Sequence, residues 1–456
     1  MEKSHGKSQV SQRLIWVLAL FFIPLFTIAA DTVTLTMEDA VNRALNQSIN
    51  LKKNAIDLTD AGYSAKRLWS EIFPGFSLSA GLGFLPSTPL ITDPGFSYKT
   101  ENLSYTVNFG LSLSLNPSFS PAMKRIELAY RSQLLSHENA SRQLEIQVIK
   151  NFLNLITMKA NIGFMEESLQ LAAQKLNSDR IGRANGLVSE LVWLNSQLSV
   201  ETARYNLSYA EGSYQNALAE FLALLGMDAA TDIILEGTVE ISPVDSDPEQ
   251  LILEHLPKRP DIVSQRQAID RFELSKNHTT LSYRAPTLNL STQWRGNPDS
   301  SGDGLSAPFS DNVSGSVTLT IPIDSWIPGT KQNQTIRAAN SDVEKARLDL
   351  LDIETKAKTQ IRSLVSNLNN NWASLEIARM RVNVAQRTVQ ATESGFRNGT
   401  VEFRDLEDRR NDLGDARQRL LQSELTYQSM LLDLAAALNM DWKTLTRQQT
   451  EKGLEP

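Results

Sequence analysis

The stretch FRNGTVEFRDLEDRR, from Phe396 to Arg410, places eight charged side chains around an Asn-Gly pair. A related stretch, IGRANGLVSELVWL from Ile181 to Leu194, carries the same pair 213 residues earlier. Asn-Gly favours a tight turn because glycine enters the left-handed backbone region at little cost. Each pair lies between two segments with regular apolar stripes. Each stretch therefore predicts the turn of a helical hairpin.

Two further pairs of segments indicate that the whole chain is duplicated. Pro74 before FSLSAGLGF matches Pro286 before TLNLSTQWRG at an offset of 212 residues. ALLGMD, which begins at Ala223, matches AALNMD, which begins at Ala436, at an offset of 213 residues. A fixed period of this kind is typical of internal repeats. We therefore expect two copies of one unit, each ordered helix, two strands, long helix, turn and helix.

Segments with a two-residue period predict one β-hairpin in each copy. Apolar residues alternate with small polar residues or glycine in Phe76–Phe84, Ser104–Asn116 and Val313–Ile323, and with Asn289, Ser291, Gln293 and Arg295 in Thr287–Gly296. These lengths suit membrane strands, which have about 9 to 11 residues. Aromatic residues near the strand ends favour a bilayer over the alternative, a half-buried soluble sandwich; they are Phe84, Tyr105, Trp294, Phe309 and Trp326.

Alternation assigns the two faces of these strands. We expect Leu111, Leu113, Leu319 and Ile321 to face lipid, and Ser112, Ser114, Thr318 and Thr320 to face a lumen. Four strands cannot close a barrel, and an open sheet in lipid leaves unpaired edges. Several chains must therefore share one barrel.

The segments between the hairpins and the turns predict very long helices. Two runs, Pro121–Asp179 and Gly329–Gly395, lack a strong helix breaker, and each reaches about 90 to 100 Å as a helix. Shorter helices are expected over Met37–Glu71, Ser189–Gly226, Pro248–Ser282 and Glu402–Leu438. Apolar residues recur every seven positions, as in a coiled coil, at Ile361, Leu368, Leu375, Val382, Val389 and Phe396. A plain coiled-coil rod explains these helices equally well but not the inserted hairpins.

Composition narrows the class of protein. A net charge of -7 and a pI near 5.4 argue against a nucleic-acid partner. There is no cysteine, so disulfides, a cysteine nucleophile and a lipid-modified cysteine are excluded. The four histidines show no metal-ligand spacing; they are His5, His137, His255 and His278. The SSGDG segment resembles a calcium loop only weakly, so we expect no metal and no cofactor.

The N-terminus reads as a cleaved secretory signal. Lys3, Lys7 and Arg13 precede an apolar run over Leu14–Ile28, and two alanines stand before Asp31. The alternative is a membrane anchor, but the run is shorter than the roughly 20 residues that a spanning helix needs. We expect the mature chain to begin near Asp31.

The duplicated plan, the segments HLPKRPDIVSQRQAI and APTLNLSTQ, and the turn GFRNGTVEFRDLEDRRNDL together resemble the outer membrane efflux protein family of TolC-like channels. The resemblance implies an α+β membrane protein. Three chains, with four strands each, form a 12-stranded transmembrane β-barrel that continues as a long coiled-coil α-barrel. It places the protein in the outer membrane of a Gram-negative bacterium, extending into the periplasm. Since the chain lacks cysteine, it resembles the branch without a lipid anchor.

On this basis the chain divides into five parts. They are a signal peptide (1–30), a first repeat (31–226) with hairpin 75–116 and tip 181–190, an equatorial linker (227–249), a second repeat (250–438) with hairpin 287–324 and tip 395–402, and an equatorial tail (439–456).

The resemblance also implies a function and its sites. It indicates a passive exit duct, not an enzyme, that serves a tripartite efflux pump or a type I secretion system. Its partners are a periplasmic adaptor protein and an inner-membrane transporter of the RND or ABC class. Adaptor contacts map to Asn185, Gly186, Leu187, Ser189, Gly399 and Thr400. The alternative is a non-conducting structural or adhesive stalk; drugs, metal ions and proteins stay open as cargo.

A periplasmic constriction maps to Asp405 and Asp408, six and nine residues after Gly399. The first copy has Val192 and Asn195 there, so only the second copy supplies acids. The alternative is a solvated helix face neutralised by the pairs Arg404–Asp408 and Asp405–Arg409. The chain departs from the family example at two locking positions, with Val401 in place of Arg and Phe396 in place of Tyr.

Overall fold

The computed structural model describes residues 33–85, 89–92, 95–98, 102–229, 231–237, 241–244, 247–298, 309–441 and 444. The predicted signal peptide, the SSGDG segment and most of the predicted tail lie outside these residues. So do the side chains of Phe84, Tyr105 and Phe309.

The described chain contains helices and strands in an order that repeats. The helices are α1 (Met37–Gln47), α2 (Ile49–Ala65), α3 (Phe119–Ala184), α4 (Glu190–Leu224), α5 (Pro248–His255), α6 (Pro260–Arg284), α7 (Lys331–Arg397) and α8 (Phe403–Leu438). The strands are β1 (Val33–Thr36), β2 (Gly75–Leu85), β3 (Pro89–Thr92), β4 (Gly95–Tyr98), β5 (Asn102–Leu115), β6 (Ile233–Glu236), β7 (Thr287–Pro298) and β8 (Phe309–Thr320). Short 3₁₀ turns cover Leu68–Ile72, Leu256–Lys258 and Asp324–Trp326.

The two long helices are confirmed. Helix α3 has 66 residues and α7 has 67, so each is about 100 Å long. The seven-residue stripe packs α7 against α8: Ile361, Leu368 and Leu375 are buried with Tyr427 and Leu434. Burial raises the pKa of Tyr427 to about 12. Its hydroxyl therefore stays protonated and donates to the Ser242 carbonyl at 2.8 Å.

Of the four shorter helices predicted, the two that begin at the tips are confirmed as the continuous helices α4 and α8, and the other two are interrupted. The segment expected as Met37–Glu71 breaks at Ser48, whose Oγ accepts a hydrogen bond from Leu51 N at 3.4 Å and begins α2. Serine offers this alternative to the helical backbone bond. The segment expected as Pro248–Ser282 breaks between α5 and α6. Pro257 and Pro260 are responsible, because proline lacks the amide donor and disfavours a helical residue before it.

The duplication is visible in backbone detail. Helices α4 and α8 end at equivalent positions, where Gly226 has φ 67° and Asn439 has φ 55°. Asparagine is one of the few residues that adopt this left-handed conformation. Cores form where α1 and α4 meet on α3, around Phe152 and Phe221, and where α5 and α8 meet on α7.

The predicted hairpins join into one antiparallel sheet of order β2-β5-β7-β8. Strand β8 ends at Thr320, so the extension to Ile321 and Ile323 was wrong; Pro322 cannot donate to a ladder. Two small sheets were not predicted, a parallel pair β1-β6 and an antiparallel pair β3-β4. None of the helices in the described residues combines the length and apolarity needed to cross a bilayer.

Candidate functional site

The two helical turns, at the far end of the molecule from the sheet, share one geometry. After α3, Gly186 has φ 71°, and after α7, Gly399 has φ 72°. The amide of the following residue closes each turn, with Leu187 N donating to Gly182 O at 2.8 Å and Thr400 N donating to Gly395 O at 2.9 Å. Apart from the adjacent residues, no group in the described part of the chain lies within 4 Å of a Cβ built on Gly186 or Gly399. Both glycines are thus needed for backbone conformation and face open space.

Two further glycines, which the sequence analysis did not identify, allow the turns to close. A Cβ at Gly182 would lie 2.5 Å from Val188 Cγ2, and one at Gly395 would lie 2.6 Å from Val401 Cγ2. The sequence did carry the signal, since Gly-x-x-Asn-Gly-x-Val occurs in both tips. Val401 therefore closes its turn by packing against Gly395.

The predicted adaptor-docking residues lie together at these turns. Leu187 is 82% exposed. Ser189 is the N-cap of α4, and its Oγ accepts a hydrogen bond from Val192 N at 3.4 Å. The Thr400 hydroxyl donates to Gly395 O at 3.0 Å. The tips therefore present an exposed leucine and glycine backbone on a base held by hydrogen bonds.

Asp405 and Asp408 lie in the first two turns of α8 and are exposed. Two more exposed acids, Asp412 and Asp415, continue the same face at helical spacing, which the sequence analysis missed. Leu406 and Leu413 are buried, so this helix packs by a different face. The equivalent face of α4 is uncharged, with Val192, Asn195, Ser199 and Thr202.

The alternative neutralising pairs do not form within the described part of the chain. Arg409 contacts Asp412 at 2.8 Å instead of Asp405. Arg410 contacts Glu393 of α7 at 2.6 Å. Neither Asp405 nor Asp408 has a cationic nitrogen within 4.0 Å among the described residues. Their charges are therefore left facing outward.

Helices α3 and α8 join the two repeats along a seam of ion pairs. Lys150 contacts Asp433 at 2.6 Å beside the apolar residues Ile149, Leu153 and Leu432. Nearer the tips, Glu167 contacts Arg417 at 3.5 Å and Lys175 contacts Glu407 at 2.6 Å. Because the α3–α4 and α7–α8 contacts are more extensive, each hairpin is a unit and the seam between them is weaker.

The sheet has one apolar and one polar face, as the register shows. Rows of residues cross the four strands, and the row Leu78, Phe109, Trp294 and Val313 is apolar. The adjacent row Ser77, Gly110, Gln293 and Ser314 is polar. Leu111, Leu113 and Leu319 share the apolar face. Leu78 and Val317 are 75% and 74% exposed, so this face is uncovered in the single chain.

Aromatic residues mark the helical end of the apolar face. Trp69 and Phe73 have ring centroids 5.2 Å apart, and Phe73 and Phe76 are 5.9 Å apart. Across the sheet, the Arg284 guanidinium lies 4.7 Å above the Trp326 ring. Trp326, predicted near a strand end, lies in a 3₁₀ turn after β8. The sequence analysis missed Trp69 and Phe73 because the two-residue period of strand β2 begins only at Phe76.

The chain has two unlike lateral edges. One edge is formed by β2, α2 and α4, and the other by β8 and α7. Both carry exposed apolar side chains, namely Ile49, Ile56, Leu191, Leu198, Tyr205 and Tyr209 on the first, and Leu348, Leu351, Ile377, Met380 and Val384 on the second. Unlike edges join head to tail, which closes into a ring when the rotation permits.

A one-sided sheet at the end of two long helical hairpins, with open unlike edges, is the architecture of an outer-membrane channel protomer. The Campylobacter jejuni CmeC outer membrane channel has this fold, with a TM-score of 0.70 and 16% identity over 90% of this chain and 88% of that chain. A membrane protein from Pseudomonas aeruginosa has a TM-score of 0.69 and 17% identity over 89% of this chain and 90% of that chain. The Neisseria gonorrhoeae MtrE outer membrane channel has a TM-score of 0.65 and 15% identity over 89% of this chain and 89% of that chain.

At 15 to 17% sequence identity, this structural similarity shows the fold alone. No curated protein is significantly similar to the chain in sequence. The family is established by the sequence itself, because the outer membrane efflux protein family model matches residues 40–227 and 251–440. The chain belongs to this family.

Family membership makes the chain an outer-membrane efflux channel of a Gram-negative bacterium that extends into the periplasm. It supports conduction over the alternative of a structural stalk. Channels of the family are trimers that work with adaptor and inner-membrane pump proteins. Within the described residues, no group of His, Asp and Glu is placed to hold a metal ion.

Proposed function

We propose that three copies of this chain form a passive exit duct whose wall is the helical hairpins and whose outer end is a 12-stranded barrel. The observation that carries the proposal is the sheet, which has an uncovered apolar face, a polar face and two unpaired edges. In lipid, unpaired edge groups cost several kcal/mol each unless another chain pairs with them. Joining β8 of one copy to β2 of the next removes every edge.

The faces then have defined roles. Leu111, Leu113 and Leu319 contact lipid, with Ile321 just beyond the strand at the aromatic end. Ser112, Ser114 and Thr318 line a polar lumen. The proposed domain limits, with repeats at 31–226 and 250–438 and equatorial parts between and after them, follow the same arrangement.

The tips form the entrance in this proposal. They are proposed to dock a periplasmic adaptor, through Asn185, Gly186, Leu187, Ser189, Gly399 and Thr400. An RND or ABC transporter supplies the energy, since the duct itself performs no reaction. Asp405 and Asp408 form the constriction just inside the second tip, where three chains bring six carboxylates together. Their lack of a described cationic partner supports this placement.

Replacing Gly186 or Gly399 by leucine is expected to abolish export while trimers remain. A bulky residue at positive φ strains the turn and fills the open space that the adaptor needs. Asparagine tolerates the left-handed backbone, so Gly186→Asn is a matched control that keeps the turn with a smaller side chain. Export is measured by substrate accumulation in cells, and trimers by mass in detergent. Full export by both leucine variants would remove the docking proposal.

A further inference from the structure

The polar face of the sheet carries one charged side chain in the described strands. Its residues are Ser, Gly, Thr, Asn or Gln, except for Leu85 at the end of β2 and Arg295 on β7. The register places Ser79, Asn108, Arg295 and Asn312 side by side across the four strands. The arginine is therefore surrounded by neutral polar groups.

Among the described residues, hydrogen bonds hold Arg295 by one nitrogen only. Its Nε donates to Asn108 Oδ1 at 3.1 Å, and Asn108 Nδ2 donates to Ser79 Oγ at 3.4 Å. The neighbouring acid on β8, Asp311, lies on the opposite face and accepts from Trp294 Nε1 at 3.2 Å. No carboxylate lies within 4.0 Å of Arg295 among the described residues. The exposed guanidinium thus keeps its two terminal nitrogens available for a ligand.

The position along the strand is toward the outer end. Arg295 lies eight residues after Thr287, where β7 leaves the helices, which corresponds to about 26 Å of extended strand. The tips with Asp405 and Asp408 are at the opposite end of the molecule. The duct therefore has acidic residues at its entrance and a basic residue near its exit.

We infer that Arg295 forms an anion-attracting ring of three guanidiniums near the outer exit, which selects for phosphate- or carboxylate-bearing anions. The inference rests on the proposed duct, because the ring requires three chains and a lumen on the polar face. A guanidinium pairs with these anions through two parallel N–H donors. Three like charges around one opening repel one another, so a polyvalent anion that neutralises them is favoured.

The test is block of single-channel current by inorganic tripolyphosphate, applied to each side of a planar bilayer in turn. Block is expected from the barrel side. Arg295→Gln should raise the half-blocking concentration on the order of tenfold. Arg295→Lys keeps the charge and should retain most of the block. Gln293→Ala, on the same face two residues earlier, is the matched control and should leave block unchanged.

Salt separates a charge effect from a steric one. Block should be strong at about 0.01 M salt, where charges act over about 30 Å, and lost at about 1 M, where they act over about 3 Å. Equal block of the wild type and Arg295→Gln would overturn the inference and leave the duct intact, because current still flows. Trimers that carry no current, both as the wild type and with Asp405 and Asp408 replaced by alanine, would overturn the duct, and the ring with it.

Discussion

Replacing Leu113 by arginine is expected to lower the yield of trimers. Leu113 lies on the apolar face of central strand β5 and is paired with Leu290. An arginine on the lipid face costs about 2 to 4 kcal/mol near the bilayer midplane. Leu113 lies beyond the Phe76–Leu111 pair, towards the helical end of the sheet, where the cost falls towards about 0 to 1 kcal/mol, but each trimer carries three such residues. Light scattering of detergent-extracted protein should show less protein at the trimer mass.

The neighbouring residue provides the control. Ser112 is exposed on the polar face and is paired with Ser291. Ser112→Arg adds the same side chain to the same strand but points it into the proposed lumen, where water solvates it. Trimers of this variant should persist. Trimers of Leu113→Arg that match the wild type in yield would show that this face does not contact lipid.

Removing both Asp405 and Asp408 is expected to abolish block of the channel by divalent or trivalent cations from the periplasmic side. Three chains place two stacked rings of carboxylates at the constriction. Two unit charges about 6 Å apart repel by roughly 3 kcal/mol at an effective dielectric of about 20, and a bound cation relieves this. Because neither acid has a described cationic partner, the loss should be at least tenfold in half-blocking concentration.

The comparison uses single-channel currents of the wild type and of the Asp405→Ala, Asp408→Ala double variant. Asp342→Ala is the control, since Asp342 is a partly exposed acid near the sheet end of α7 whose contact with Lys345 spans one turn. It should be blocked like the wild type. Equal block of the double variant and the wild type would eliminate the carboxylate constriction, while loss of block in Asp342→Ala would make the effect one of overall charge.

Much of the fold could be predicted because periodicity and duplication act together. The strands follow from alternation, the long helices from their seven-residue stripe, and the turns from Asn-Gly. The misses have local causes. Ser48 captures a backbone amide, Pro257 and Pro260 break the helix between α5 and α6, and Pro322 ends β8. Strand β1 has only four residues, which is too few for a two-residue period to be recognised in the sequence.

The candidate site was predicted less completely, because its geometry depends on long-range contacts. The register that places Arg295 beside Asn108 joins residues 187 apart, which no local pattern encodes. The partners of Arg409 and Arg410 were also unpredictable, since each arginine has several acids within one helical turn. Gly182 and Gly395 were predictable in principle, because their motif occurs twice.

The central claim is that the chain conducts, and the most direct measurement is the conductance of the purified trimer in a planar lipid bilayer. A lumen lined by serine and threonine predicts discrete current steps, each from one inserted trimer, that persist without adaptor, pump or nucleotide. A stalk predicts insertion without current. Trimers that insert, as shown by protease protection of the barrel, yet carry no current even after Asp405 and Asp408 are replaced by alanine would contradict the account.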